Sequence, residues 1–142
     1  MHIKQIAETT LIRLEAGEEV LASLRAWAER ENVGFAALQA IGALQRAVLA
    51  HFDPASRAYT HIPVEQQTEV VSLVGNVSWG PDGAPVVHAH ALLSRANGSA
   101  VGGHLVEGIV SPTLEVVLHT LPERVERQED AATGLRLWKV TR

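Results

Sequence analysis

Apolar residues recur along the chain at two different periods, and each period marks a different kind of element. After Gly17, the positions Val20, Leu21, Leu24, Trp27 and Ala28 are three and four apart, which gathers them into one stripe of an amphipathic helix. Glu18 and Glu19 suit the positive end of that helix's dipole, and Asn32-Val33-Gly34 ends it. Before the helix, Ile6 to Leu14 alternates loosely and predicts an opening strand. After it, Phe35 to Phe52 is rich in Ala, Val, Leu and Ile around Gly42, which predicts two short strands or one strand bent at a bulge. Asp53-Pro54-Ala55-Ser56 is a turn, and Tyr59 to Ile62 a brief return strand.

Alternation is clearest from Gln67 to Trp79. A regular strand there places Glu69, Val71, Leu73, Gly75, Val77 and Trp79 on one face, and Val70, Ser72, Val74, Asn76 and Ser78 on the other. Gly80-Pro81-Asp82-Gly83 then signals a turn into a hairpin from Pro85 to Glu107, which reverses near Asn97-Gly98. Gly108 to Pro112 is expected as a short connection, Thr113 to Leu121 as another strand, and Leu135 to Val140 as a terminal strand. Strands in hairpin succession with one clear helix predict an α+β domain, in which a central, mostly antiparallel sheet carries one main helix packed on it. The 142 residues, 46% of them hydrophobic, match a single domain able to bury about two-thirds of its unfolded surface.

The hairpin also carries the candidate chemistry. His88 and His90 lie two residues apart in a strand and therefore share a face. If the loop has an odd number of residues centred near Asn97, His104 comes directly opposite His90, with Cβ atoms about 4.5–5.5 Å apart. A loop one residue longer or shorter shifts the register and separates them. Cysteine is absent, so a transition-metal site in this chain must be built from His, Asp or Glu. Three imidazoles leave a coordination position open, the arrangement of catalytic rather than structural zinc. The reading that competes is that the histidines are half-buried hydrogen-bonding residues of a sheet.

Other chemistries have less to stand on. Glu107 is an odd number of residues from His104 and is expected to face away from it; Glu115 could approach from the following strand, and no catalytic residue is assigned. The glycines from Gly98 to Gly103 fit neither a dinucleotide fingerprint nor a phosphate loop, so close strand approach or a bulge is expected there. No Gly-x-Ser-x-Gly elbow is present. Arg13 and Glu15 read as a surface pair, and Asn76 as a partner of neighbouring backbone. Trp27, Trp79 and Trp138 read as core or interface packing residues rather than base-stacking platforms. The formal net charge is -4, with two lysines and ten arginines scattered rather than clustered, which disfavours a phosphate-binding stripe. The N-terminal residues lack a secretory pattern and no stretch approaches the roughly 20 apolar residues of a membrane span. A cytoplasmic protein without membrane contact is expected.

Taken together and in order, Arg13-Leu-Glu-Ala-Gly-Glu-Glu-Val, Ala40-Ile-Gly-Ala-Leu, Val71-Ser-Leu-Val-Gly-Asn-Val, Val87-His-Ala-His-Ala, Gly102-Gly-His-Leu-Val-Glu-Gly and Thr113-Leu-Glu-Val resemble the plants and prokaryotes conserved (PPC) domain, from about residue 6 to about residue 120. The resemblance implies an α+β fold and a homotrimer. It further implies a divalent metal, most readily zinc, at His88, His90 and His104, since the corresponding motifs of some prokaryotic members hold one. Plant members join the domain to an Arg-Gly-Arg-Pro segment that enters the minor groove of A·T-rich DNA; that segment is absent from these 142 residues, so DNA is implied by family association alone. Three functions follow as expectations: a trimeric metal-binding protein of unassigned reaction, a DNA-associated or regulatory interaction module, and a metal-dependent hydrolase of a small molecule.

Overall fold

A computed structural model describes residues 1–140. In chain order the elements are β1 (His2–Ile6), β2 (Thr9–Glu15), α1 (Val20–Arg30), β3 (Phe35–Asp53), β4 (Ala58–Val64), β5 (Thr68–Trp79), β6 (Pro85–Ser94), β7 (Ala100–Leu121), β8 (Arg127–Glu129) and β9 (Arg136–Trp138). The first seven strands form one antiparallel sheet in the order β1-β2-β7-β6-β5-β3-β4, with β7 also paired to β3. Pairing of β3 with β5, β5 with β6, β6 with β7 and β7 with β3 closes a ring, so the sheet curls on itself. The α+β class and the single main helix are as the sequence predicts. Among the described residues no helix is long and apolar enough to cross a membrane.

The helix forms where the stripe places it, and the residues of that stripe are its buried ones: Val20, Leu21, Leu24, Trp27 and Ala28. Its N-cap is Glu19, whose carboxylate accepts from the amides of Leu21 and Ala22 at 3.2 and 2.6 Å. The same carboxylate accepts from the Gly108 amide at 3.1 Å, tying the start of the helix to β7. Against α1 lies one face of the sheet, with Ile12 and Leu14 from β2, Leu38 from β3, Leu73 and Val77 from β5, Leu93 from β6, and Leu105, Leu114 and Leu118 from β7 all buried. Each such aliphatic side chain contributes roughly 1.5–3 kcal/mol by leaving water.

Four departures from the alternating pattern have local causes. The opening strand is two strands, β1 and β2, reversed at Ala7 and Glu8; Ala7 takes a φ of 50°, a left-handed turn that no Gly or Asn announces. The segment from Phe35 is one long strand bent at a bulge, where Gly42 has φ 144° and a Cβ would stand 2.4 Å from the Thr113 carbonyl oxygen. A second bulge between Val70 and Ser72 resets the face of β5, so Val70 and Leu73 are both buried while Val71 is exposed, contrary to strict alternation. Gly108 to Pro112 is not a connection: β7 runs through it unbroken. Pro112, after a cis peptide, falls where β7 slips register against β3 between Leu44 and Gly42, a place in the ladder that does not require its missing amide donor.

The terminal strand appears as β9 and pairs with β8 in a separate two-stranded ribbon. This ribbon is fastened to the sheet by the Trp79 amide donating to Val125 at 2.9 Å and by the Trp138 ring meeting Phe35 edge-on at 5.7 Å.

Candidate metal centre

Along β6, Val87, Ala89, Ala91 and Leu93 are buried towards the core, so the alternate residues His88 and His90 project from the other face. Ser94 pairs with Ala100, which leaves residues 95–99 as an odd loop centred on Asn97. That loop is stabilised by the Asn97 side chain, whose oxygen accepts from the Ser99 amide at 3.0 Å and hydroxyl at 2.7 Å. The consequence is the register anticipated from sequence: His90 and His104 are direct partners. The ring centroids of His88 and His90 are 5.3 Å apart, those of His88 and His104 5.0 Å, and those of His90 and His104 5.4 Å.

One nitrogen from each ring lies within 4.8 Å of the others. A zinc ion with bonds of about 2.0–2.1 Å draws its donors to about 3.4 Å of one another; the His90 side chain is exposed and free to turn inward. Fit to a metal also has a direct sign. The Nδ1 atom of His104 is buried and has no hydrogen-bond partner among the described residues, and a buried polar atom left alone is costly unless something binds it. Burial, then the charge of Arg127, then the neighbouring His104 and His90, lowers the His88 pKa to about 4. Burial, followed by His90, lowers that of His104 as well. Both rings are therefore neutral at pH 7 and present lone pairs, the form a metal requires.

Glycine keeps this corner of the sheet tight. A Cβ at Gly103 would stand 2.8 Å from the Ala50 carbonyl oxygen, so close strand approach beside the histidines, one of the two expectations for this Gly-rich stretch, is what is found.

Arg127 completes the surroundings, and nothing in the sequence pattern pointed to it. It is only 7% exposed. Its Nε donates to the Ser78 hydroxyl at 2.7 Å, Nη2 to the Asn76 side-chain oxygen at 2.9 Å, and Nη1 to the Arg136 carbonyl at 2.8 Å. Nη2 also lies 3.5 Å from Nδ1 of His88, a contact at the outer limit for a hydrogen bond. Asn76 thus serves the Arg127 side chain rather than neighbouring backbone, correcting the expectation for that residue. On the opposite flank the Tyr59 ring lies 5.5 Å from His104. Between the histidines and the β8–β9 ribbon is a cleft of about 210 Å³, lined by Tyr59, Val86, His88, His104, Arg127, Leu137 and their neighbours.

The other candidates are placed elsewhere. Glu107 pairs with Arg46 at 2.7 Å, and Glu115 is exposed opposite Arg13 on β2; neither lines the cleft at the histidines. Arg13 and Glu15 do form an exposed pair, at 3.7 Å. Trp27 and Trp79 are buried as packing residues, whereas Trp138 is 43% exposed. A basic partner distant in sequence reaches Trp79 through the fold, with the Arg124 guanidinium 3.6 Å from the centre of its ring.

Comparison with known proteins adds to this geometry. The model of the Plants and Prokaryotes Conserved (PCC) domain matches residues 1–122. A plant- and prokaryote-conserved protein of Pyrococcus horikoshii is similar at 33% identity and a TM-score of 0.86, over 99% of this chain and 95% of that one. A metal-containing protein of Archaeoglobus fulgidus is similar at 32% identity and a TM-score of 0.85, over 97% of this chain and 98% of that one. A Bacteroides thetaiotaomicron protein bearing a provisional DNA-binding name is similar at 25% identity and a TM-score of 0.92, over 97% of this chain and 96% of that one. No curated protein matches the chain.

Proposed function

The chain belongs to the Plants and Prokaryotes Conserved domain family, and from that premise we propose that it is a homotrimeric protein that binds one divalent metal, zinc by preference, through His88, His90 and His104. The observation that carries the proposal is the convergence of one nitrogen from each of three imidazoles within 4.8 Å, in a cluster where the His104 ring has a buried Nδ1 without a partner among the described residues. The metal-containing relative from Archaeoglobus fulgidus supports it. Nitrogen donors alone suit zinc and other borderline metals better than magnesium or calcium, which prefer oxygen. Three protein ligands leave a position where a bound ion polarises water or an incoming ligand oxygen. The cleft lining contains no Asp or Glu to serve as a base, so binding is the function assigned and no reaction is.

Metal analysis of protein purified without a histidine tag tests this reading. It expects close to one equivalent per chain in the unaltered protein and a large loss in His90→Ala; equal, negligible metal in both contradicts it. Trimer formation is supported by exposed apolar residues on the sheet face away from α1, among them Ile41, Val71, Val74 and Leu92, which are 61, 52, 52 and 41% exposed. Light scattering at a mass of three chains is expected, and a single-chain mass contradicts the trimer.

The provisional name of the Bacteroides relative motivates a second reading, a DNA-associated regulatory module in which the histidines are structural. It requires salt-sensitive binding to A·T-rich duplex, and no binding near 50 mM salt removes it. The net charge of -4 weighs against it.

A further inference from the structure

The cleft beside the histidines has a charge problem that the metal makes larger. Arg127 is a nearly buried cation, and among the described residues no carboxylate forms an ion pair with it. The residues lining the cleft include no Asp or Glu. Its partners Ser78, Asn76 and the Arg136 carbonyl are all neutral. Among the described residues Nη1 donates only to the Arg136 carbonyl. Three neutral imidazoles do not offset a divalent ion, so with metal bound the cleft holds an unbalanced positive charge in partly desolvated surroundings, where charge is expensive unless paired.

The remaining lining is Val86 and Val87 from β6, Leu135 and Leu137 beside and within β9, the Tyr59 ring, and a second cation, Arg136. Arg127, Leu135 and Leu137 lie beyond residues 1–122, the part matched by the family model. The metal ligands therefore belong to the shared domain, while this wall of the cleft is supplied by the segment that follows it.

We infer that the cleft between the histidine triad and the β8–β9 ribbon is a binding site for a small monocarboxylate with a short apolar chain. The carboxylate is drawn by Arg127 and by the metal, and the chain lies against Leu135, Leu137, Tyr59 and Val86. This rests on the proposed metal site for part of its attraction. A phosphate ester fits less well, because Val86, Leu135 and Leu137 suit an apolar chain and Arg127 has already committed most of its donors.

Calorimetric titration of the zinc-loaded, full-length protein with butyrate and with butanamide, its uncharged analogue of the same shape, tests the inference. Butyrate is expected to bind roughly tenfold tighter or better, the weight of a charge-assisted hydrogen bond. Arg127→Gln is expected to remove most of that preference, leaving the metal's share, and Arg127→Lys to retain more of it. Leu137→Glu, at an exposed position, is expected to weaken butyrate more than butanamide without relying on a change at a buried residue. Equal binding of the two probes by the unaltered protein overturns the inference, as does phosphate binding tighter than butyrate. Zinc content is measured on the same samples, so the two readings fail separately. Zinc bound without butyrate preference leaves the metal site and removes the carboxylate. If no zinc binds, the metal reading falls, and the inference stands only if the metal-free protein still prefers butyrate and Arg127→Gln does not.

Discussion

The two faces of β6 are built from adjacent residues and follow different rules. Val87, Ala89, Ala91 and Leu93 face the core, where each is buried among side chains from α1 and the neighbouring strands. Volume and apolarity decide what is tolerated there, because interiors are close-packed. Val86, His88, His90 and Leu92 face the other way, and only the histidines among them converge on anything. The inner face holds the strand in place; the outer face uses that placement to bring three imidazoles together. The fold and the site are therefore separable at single-residue resolution, even though their residues alternate along one strand.

The largest test of that separation is Leu93→Ala. Leu93 is fully buried, and truncating a core leucine costs about 2–5 kcal/mol, so denaturant or thermal unfolding is expected to show a large loss of stability while the folded fraction still takes up metal. His90→Ala is its mirror image. An exposed side chain on the outer face is expected to change the stability of the metal-free protein by no more than about 0.5 kcal/mol and yet to lose the metal. If His90→Ala destabilises the metal-free protein as much as Leu93→Ala, the two faces are not independent.

A smaller effect is expected from pH. Burial and Arg127 hold His88 at about 4 in the folded protein, against 6.5 ordinarily. Between those values the unfolded chain binds a proton that the folded chain does not, so the stability of metal-free protein rises with pH from about 4 to 6.5 and its contribution is constant above that range. Unfolding midpoints measured across this interval check the direction, and His88→Gln is expected to flatten the rise. An unchanged slope in the variant places the titration elsewhere.

How much of this was legible in the sequence depends on how local the cause is. The helix was readable because five apolar residues at spacings of three and four leave one way to bury them. The histidine register was readable because strand pairing through a short loop is set by that loop, and Asn97-Gly98 marks its centre. The face of Val70 was not, since the bulge between Val70 and Ser72 depends on the partner strand. Nor was the turn at Ala7, a residue type that seldom takes a positive φ. Arg127 was least legible of all. It reaches His88 across 39 residues of chain, carried by a ribbon whose position depends on Trp79 and Phe35, and no periodicity records that journey.

The central claim is that His88, His90 and His104 hold a divalent metal. Anomalous diffraction from crystals of the untagged protein, collected above and below the zinc absorption edge, tests it most directly. The expected result is a strong difference peak among the three imidazoles, at bonding distance from one nitrogen of each. A map with no peak there, from protein supplied with zinc, contradicts it.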